Sequence, residues 1–277
     1  MKRSFLNSYI KNAKRIVVKV GSARVSGEER AMNDFLFSLA GDIRQLFDEK
    51  KEVILVSSGA VAQGKKIMTD YSGRTFDKKT IIERQALAAI GQSHLMSLYE
   101  SFFSRVNVPI SQILFGMLDV KEKVGADNLR NTFNKLLSWK ILPIVNENDS
   151  IATEELKLGD NDILSALVAL LMEADLLIIL TGVNGFNRGG KDVSFLSDVT
   201  EKDLSFAKGP DGPGTGGMNT KLKAGKLLLS ANIPTVIING REKHCILDLI
   251  ENNKSGTLIA NGKKPTRLKI EEIQKLF

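Results

Sequence analysis

Runs of apolar, largely β-branched residues recur along the chain at 16–20, 53–56, 141–145, 176–180 and 235–238, the last just past Pro234. They are continuous rather than alternating, which predicts strands covered on both faces. Between them the apolar positions take helical spacing, at 34–49, 84–105, 127–139, 163–173 and 219–232. Strands alternating with helices imply right-handed crossovers and hence an α/β fold, a three-layer αβα sandwich around a central, mainly parallel sheet. Residues 70–79 and the glycine-rich 208–217 are expected to be exposed loops. No repeat, low-complexity tract or linker divides the chain, so residues 1–277 are expected to form one domain.

The polar residues that interrupt this pattern fall where strands end. Asn146-Glu147-Asn148-Asp149 follows one strand-like run, and Gly159-Asp160-Asn161-Asp162 precedes a strongly apolar helix. Both therefore belong at the rim of a parallel sheet, where open α/β folds bind ligands. Capping is the ordinary explanation for the second group, and a capping residue can also be catalytic. Lys19-Val20-Gly21-Ser22 and Ser57-Ser58-Gly59-Ala60 put glycines just after strands. A missing side chain there lets an anion approach backbone N–H groups, although a plain turn uses glycine in the same way. Thr215-Gly216-Gly217-Met218-Asn219-Thr220-Lys221 leads directly into a helix, so free amides, the positive end of the helix dipole and Lys221 converge. The spacing is neither that of a Walker A loop nor that of a Rossmann G-x-G-x-x-G. Lys19, inside an apolar strand, requires an anionic partner, because an unpaired buried ammonium costs on the order of several kcal/mol.

The remaining polar and aromatic residues take a blander reading. His94 and His244 are isolated and are given no chemistry, while Met96, Trp139 and the phenylalanines are expected in the core. Arg24, Arg30, Lys263, Lys264 and Arg267 are expected on the surface, the last three in a flexible tail.

Composition narrows the classes. Lys and Arg number 39 against 32 Asp and Glu, a formal charge of +7 that suits a polyanionic ligand such as a nucleotide. One Trp and three Tyr supply few of the exposed aromatics that an RNA-binding surface would interleave with its basic residues, so no nucleic acid is expected as a partner. A single Cys245 excludes an internal disulfide framework and fits a reducing compartment. Residues 1–14 are basic without an apolar segment, and no apolar stretch approaches the roughly 20 residues of a membrane span. A cytoplasmic protein with no membrane partner is expected.

Taken in order, the elements beginning at Lys19 and Ser57, the Asn146 and Gly159 groups, Leu164-Ser165-Ala166-Leu167 and Gly214-Thr215-Gly216-Gly217-Met218 resemble the amino acid kinase family, within it the branch that phosphorylates glutamate. The resemblance covers residues 16–259. Its first two elements are shared with relatives that act on acetylglutamate, aspartate, carbamate or UMP, whereas the paired N-E-N-D and G-D-N-D groups are those of the glutamate branch. It implies an amino acid kinase fold and phosphoryl transfer from ATP, with Mg2+, to the γ-carboxylate of L-glutamate, which opens proline biosynthesis. Such a carboxylate, with a reference pKa of about 4.3, is ionised at neutral pH and needs no general base. Catalysis then consists of positioning and charge neutralisation.

By the same resemblance Lys19 would touch the transferring phosphoryl group and Lys221 the leaving phosphate. Asp162 would hold both ammonium groups, and Asp160 could share that duty. Ser58, Gly59, Asp149 and Asn161 would take the glutamate in the N-terminal half. Thr181, Gly182, Thr215, Gly216, Gly217, Met218, Asn219, Thr220 and Lys221 would take ATP in the C-terminal half, with Lys19 reaching it from the first strand. No protein ligand to Mg2+ is assigned, since ATP oxygens and water commonly hold it. Thr181 is followed by Gly182 where the branch usually has Asp, which removes a carboxylate near the nucleotide. No PUA domain, which many bacterial members append, is expected after residue 277. A homo-oligomer, dimer or tetramer, is implied, as is a reductase partner for the acyl phosphate; whether proline inhibits is left open. The alternatives are another acceptor, such as acetylglutamate or UMP, and a non-catalytic amino acid sensor. Against UMP stands the lack of an arginine cluster near the acceptor elements.

Overall fold

The apolar runs of the sequence are strands of one sheet in the computed structural model, which describes residues 7–76, 80–152, 160–207, 217–252 and 256–277. In chain order the strands are β1 (Arg15–Val20), β2 (Glu52–Ser57), β3 (Ile110–Phe115), β4 (Leu142–Glu147), β5 (Leu176–Thr181), β6 (Asn187–Arg188), β7 (Lys191–Asp192), β8 (Phe195–Leu196), β9 (Thr235–Asn239) and β10 (Thr257–Ile259). The main sheet has the order β3-β4-β2-β1-β5-β9-β10-β8, and β6 and β7 form a separate hairpin. From β3 to β9 all neighbours are parallel; β10 runs antiparallel to β9 and carries β8 parallel to itself.

Strand periodicity divides the core into two layers, because successive side chains point to opposite faces. Val17, Ile54, Val56, Val145 and Ile179 belong to one cluster, with apolar residues of helices Lys123–Ser138, Asn161–Leu171 and Met218–Leu229. Ile16, Val18, Val20, Val53 and Leu55 belong to the other, with helices Glu29–Asp48, Ile81–Phe103 and Cys245–Asn252. This is the expected three-layer sandwich. Lys19 follows Val17 by two residues, so it points to the first face, where the helix Asn161–Leu171 begins.

Several expectations need correction. The strand β3 was not predicted: it is an edge strand whose apolar run is broken by Ser111 and the exposed Gln112. The helix Ala60–Ser72 occupies the start of the expected 70–79 loop, of which 77–79 lie outside the described residues, as do 208–216 of the glycine-rich loop. Trp139 is 58% exposed, as a helix C-cap with the Lys135 Nζ 4.9 Å above its ring, and Phe37 and Phe206 are exposed as well. His244 is not isolated, since its Nδ1 lies 2.7 Å from Asp42 Oδ1. Arg24 is half-buried against Phe35. The tail is docked through buried Ile270 and Ile273 and the bonds that Gln274 donates to the carbonyls of Val120 and Lys121. No helix among the described residues is long and apolar enough to cross a membrane.

Candidate active site

Register brings the predicted elements to one level. Lys19 lies beside Val56 and Ile179, and Val20 beside Ser57 and Leu180, so β1, β2 and β5 end together. With β2 on one side of β1 and β5 on the other, this is the switch point of the sheet, where a crevice opens beyond the carboxyl ends. The helix Asn161–Leu171 is buried from Leu164 to Leu171, and that apolar body drives its polar first turn into the crevice. The helix Met218–Leu229 packs alongside it on the same face.

Asp162, fully buried, is the centre of the site. Its Oδ1 lies 2.8 Å from Lys19 Nζ, and its Oδ2 accepts hydrogen bonds from Lys221 Nζ at 2.9 Å and Thr220 Oγ1 at 2.8 Å. Lys19 and Lys221 are 3% and 6% exposed, so two ammonium groups from different elements are held out of water by one carboxylate. Burial alone would raise the pKa of Asp162, but Lys19 and Lys221 outweigh it and hold the carboxyl below the usual range. Two ammoniums thus share the one carboxylate of Asp162, an arrangement suited to an incoming polyanion.

On the β2 and β4 side, Asn161 Nδ2 is within reach of three acceptors: Ser58 Oγ at 2.8 Å, Asn146 Oδ1 at 2.9 Å and the Ser57 carbonyl at 3.1 Å. Asn146 in turn donates to Gln92 Oε1 at 2.9 Å, while Ser57 Oγ and Tyr99 Oη lie 2.7 Å apart. Gly59 caps the helix Ala60–Ser72 at φ +120, and a Cβ there would meet Val25 Cγ2 at 2.5 Å, so only glycine fits. Asp149 lies in the turn after β4, half-buried, with its N–H donating to the Glu147 carbonyl. Gln92, Tyr99 and the part played by Asn146 were missed from sequence, because Gln92 and Tyr99 come from a helix with no polar signature.

Asp160 takes a different place from Asp162. It is the N-cap of the helix, accepting from Asp162 N–H at 3.2 Å, and its Oδ2 is buried without a partner among the described residues. Burial, and next the charge of Asp162, push its carboxyl above the usual range, against the opposing pull of Lys19. A carboxyl raised in the folded state lowers stability as pH climbs from the ordinary carboxylate range through its folded value, because the unfolded chain releases its proton first. Asn caps about as well as Asp. Asp160→Asn is therefore expected to raise the melting temperature at pH 7 in metal-free, nucleotide-free buffer, and Asp160→Ala to lose part of that gain. A lower melting temperature for the Asn variant would mean that the folded site favours the charge.

Among the expected nucleotide contacts, Thr215 and Gly216, like Gly159, lie outside the described residues. Gly217 supplies a carbonyl to both Thr220 Oγ1 and Lys221 Nζ. Met218 packs on the core, and Asn219 donates to the Leu204 carbonyl, which ties its helix to the preceding one. Thr181 ends β5, and Gly182 lies under the guanidinium of Arg241, a residue not singled out from sequence. Among the described residues no group of three or more His, Cys, Asp or Glu forms a metal cluster.

A family profile described as the amino acid kinase family matches residues 14–239. Proteins named glutamate 5-kinase are similar over most of the chain. The one from Clostridium tetani is 40% identical, covering 90% of this chain and 95% of its own. That from Ligilactobacillus salivarius is 41% identical, covering 91% and 98%. Among solved structures, a Giardia carbamate kinase superposes with a TM-score of 0.63 at 16% identity, covering 90% of this chain and 99% of that one, a likeness of fold.

Proposed function

The chain belongs to the amino acid kinase family, and we propose that it transfers the γ-phosphoryl group of ATP to the γ-carboxylate of L-glutamate, the first step of proline biosynthesis. The observation that carries the reaction type is the pair of buried ammoniums sharing Asp162 at the switch point. The acceptor follows from the relatives of about 40% identity.

The barrier is the crowding of negative charge among the carboxylate, the γ-phosphate and the departing β-phosphate. Lys19, from β1, would neutralise the transferring group; Lys221, from the facing helix, would neutralise the leaving oxygen. Asp162 sets the position of both. Since it binds both before substrate arrives, little reorganisation is needed during transfer. Asn161, braced by Ser58 and Asn146, would orient the acceptor, and Asp149 would meet its ammonium group. In this reading Ser58, Gly59, Asp149 and Asn161 form the acceptor side, and the residues after Asp162, with Lys19 reaching across from β1, form the nucleotide side. Magnesium fits the site, because Asp160 offers a buried, unpartnered hard oxygen of the kind this ion takes beside phosphate oxygens and water. When bound it would neutralise phosphate charge. The product, an acyl phosphate, hydrolyses readily, which favours direct delivery to a reductase.

The test is ADP release with MgATP and each of L-glutamate, acetylglutamate, aspartate and UMP, with hydroxylamine present to trap an acyl phosphate. Hydroxamate is expected with glutamate only. ADP release that no acceptor stimulates would sink the reading, and release with UMP would move the acceptor. In the same assay Asn161→Ala is expected to raise the glutamate KM by about tenfold or more, the loss of a charge-assisted contact, with the ATP KM little changed. A change confined to the ATP KM would put Asn161 in the wrong half.

A further inference from the structure

Two guanidiniums at the carboxyl edge of the sheet take no part in the lysine site. Arg241 follows β9, and its side chain lies across Gly182: a Cβ built there would stand 3.6 Å from Nη2, 3.8 Å from Nε and 3.9 Å from Cζ. Nη2 and Nε are the nearest atoms, so a side chain at 182 would stand against the Nε–Nη2 side of the guanidinium, and glycine leaves that side uncovered. Arg24 lies in the short helix Ser22–Val25 just after β1, its Cζ 5.9 Å from the centre of the Phe35 ring. Arg24 donates its backbone N–H to the Gly21 carbonyl, and Arg241 follows Gly240; Gly21 and Gly240 both lie against Leu180, which sets the two arginines at one edge of the sheet. Burial, and next the charge of Arg241, depress Arg24 from the ordinary arginine range. Arg15, Arg44, Arg188 and Arg267 each pair with a carboxylate. Neither Arg24 nor Arg241 has such a pair among the described residues.

Two cations at one sheet edge without a carboxylate pair favour an anion, and the guanidinium fork matches phosphate oxygens two at a time. The edge is also continuous with the transfer site. A Cβ on Gly21 would lie 4.0 Å from Lys19 Nζ and 3.8 Å from the Leu180 carbonyl, and one on Gly240 would lie 3.7 Å from the Thr181 carbonyl. Small residues thus line the path from Lys19 across the ends of β1, β5 and β9 to Arg241. We propose that Arg24 and Arg241 form a second anion subsite that grips the non-transferring phosphates of the donor nucleotide. The identity of the ligand rests on the kinase reading; the anion site itself does not.

The experiment is calorimetric titration of the purified protein with ATP, ADP and inorganic tripolyphosphate in magnesium buffer without glutamate, for wild type and variants. Arg241→Ala is expected to weaken ATP and ADP about tenfold, the loss of one charge-assisted hydrogen bond, and Arg24→Ala to weaken both in the same direction. Gly182 is not among the positive-φ glycines, so Asp is accommodated there. Gly182→Asp places a carboxylate against Arg241 and is expected to weaken ATP as Arg241→Ala does. It should add nothing in an Arg241→Ala background, because it acts through that guanidinium. ATP binding unchanged in Arg241→Ala, or a Gly182→Asp effect that persists without Arg241, overturns the proposal. Tripolyphosphate that binds through Arg241 without displacing ATP also overturns it, by showing a separate polyanion site. A chain that binds ATP through Arg241 yet forms no hydroxamate sinks the kinase reading and leaves the subsite standing.

Discussion

Asp162→Ala is expected to abolish measurable turnover and to cost about 3–5 kcal/mol of stability, the range for removing one partner of a buried ion pair. The size follows from what the carboxylate holds. Lys19 and Lys221, both buried, meet on its two oxygens, and the variant leaves two ammoniums without their shared counter-ion. Urea unfolding gives the stability and a glutamate-dependent ADP assay the rate. Asp162→Asn, nearly isosteric, separates charge from shape and should lose nearly as much of both. The difference from wild type also depends on pH in a fixed direction. With its folded pKa depressed, Asp162 contributes fully above the unfolded carboxylate range, about 3.9, and its contribution fades as pH falls through the lower folded value. Variants as stable as wild type at pH 7 would mean that the lysines are not held by this carboxylate.

Lys221→Ala is expected to lower kcat by about 10²–10³, the usual loss when one preorganised donor to transition-state charge is removed, with the glutamate KM nearly unchanged. Lys221 reaches Asp162 from the helix Met218–Leu229, on the other carboxylate oxygen from Lys19, and in the proposed reaction it would address charge that develops on the leaving side. Its removal still leaves Asp162 paired with Lys19, so the stability loss should be well below that of Asp162→Ala. A rise in glutamate KM with kcat intact would place Lys221 on the acceptor instead. An unchanged rate would remove it from the mechanism.

The strands that carry the site were readable from sequence because they are central. β1, β2, β4, β5 and β9 are covered on both faces, and such strands need unbroken apolar runs. The edge strand β3 is less buried and broken by Ser111 and Gln112, while β8 and β10, at 2 and 3 residues, are too short to show a run. Lys19 stood out for the same reason that β1 did, as a charge inside an apolar run. Trp139 misled because helical spacing says which residues share a face, not which face meets the core.

By itself, then, the sequence determined the layered α/β architecture, the strand ends that carry polar residues and the presence of Lys19 and Lys221 among them, since periodicity and burial cost act locally. Only the tertiary structure decided how those residues divide the work. Asp160 and Asp162 are two positions apart in one turn, and chain order cannot say which faces the lysines; the packing of the helix Asn161–Leu171 under β1 aims Asp162 at both and leaves Asp160 as the cap. Gln92 and Asn146, or Gly182 and Arg241, are likewise far apart along the chain and meet because parallel register ends their strands at one level and the helices pack across it. Contacts between distant segments exist only once the core has closed, and they set the charge, the pKa values and the reach of every group in the site.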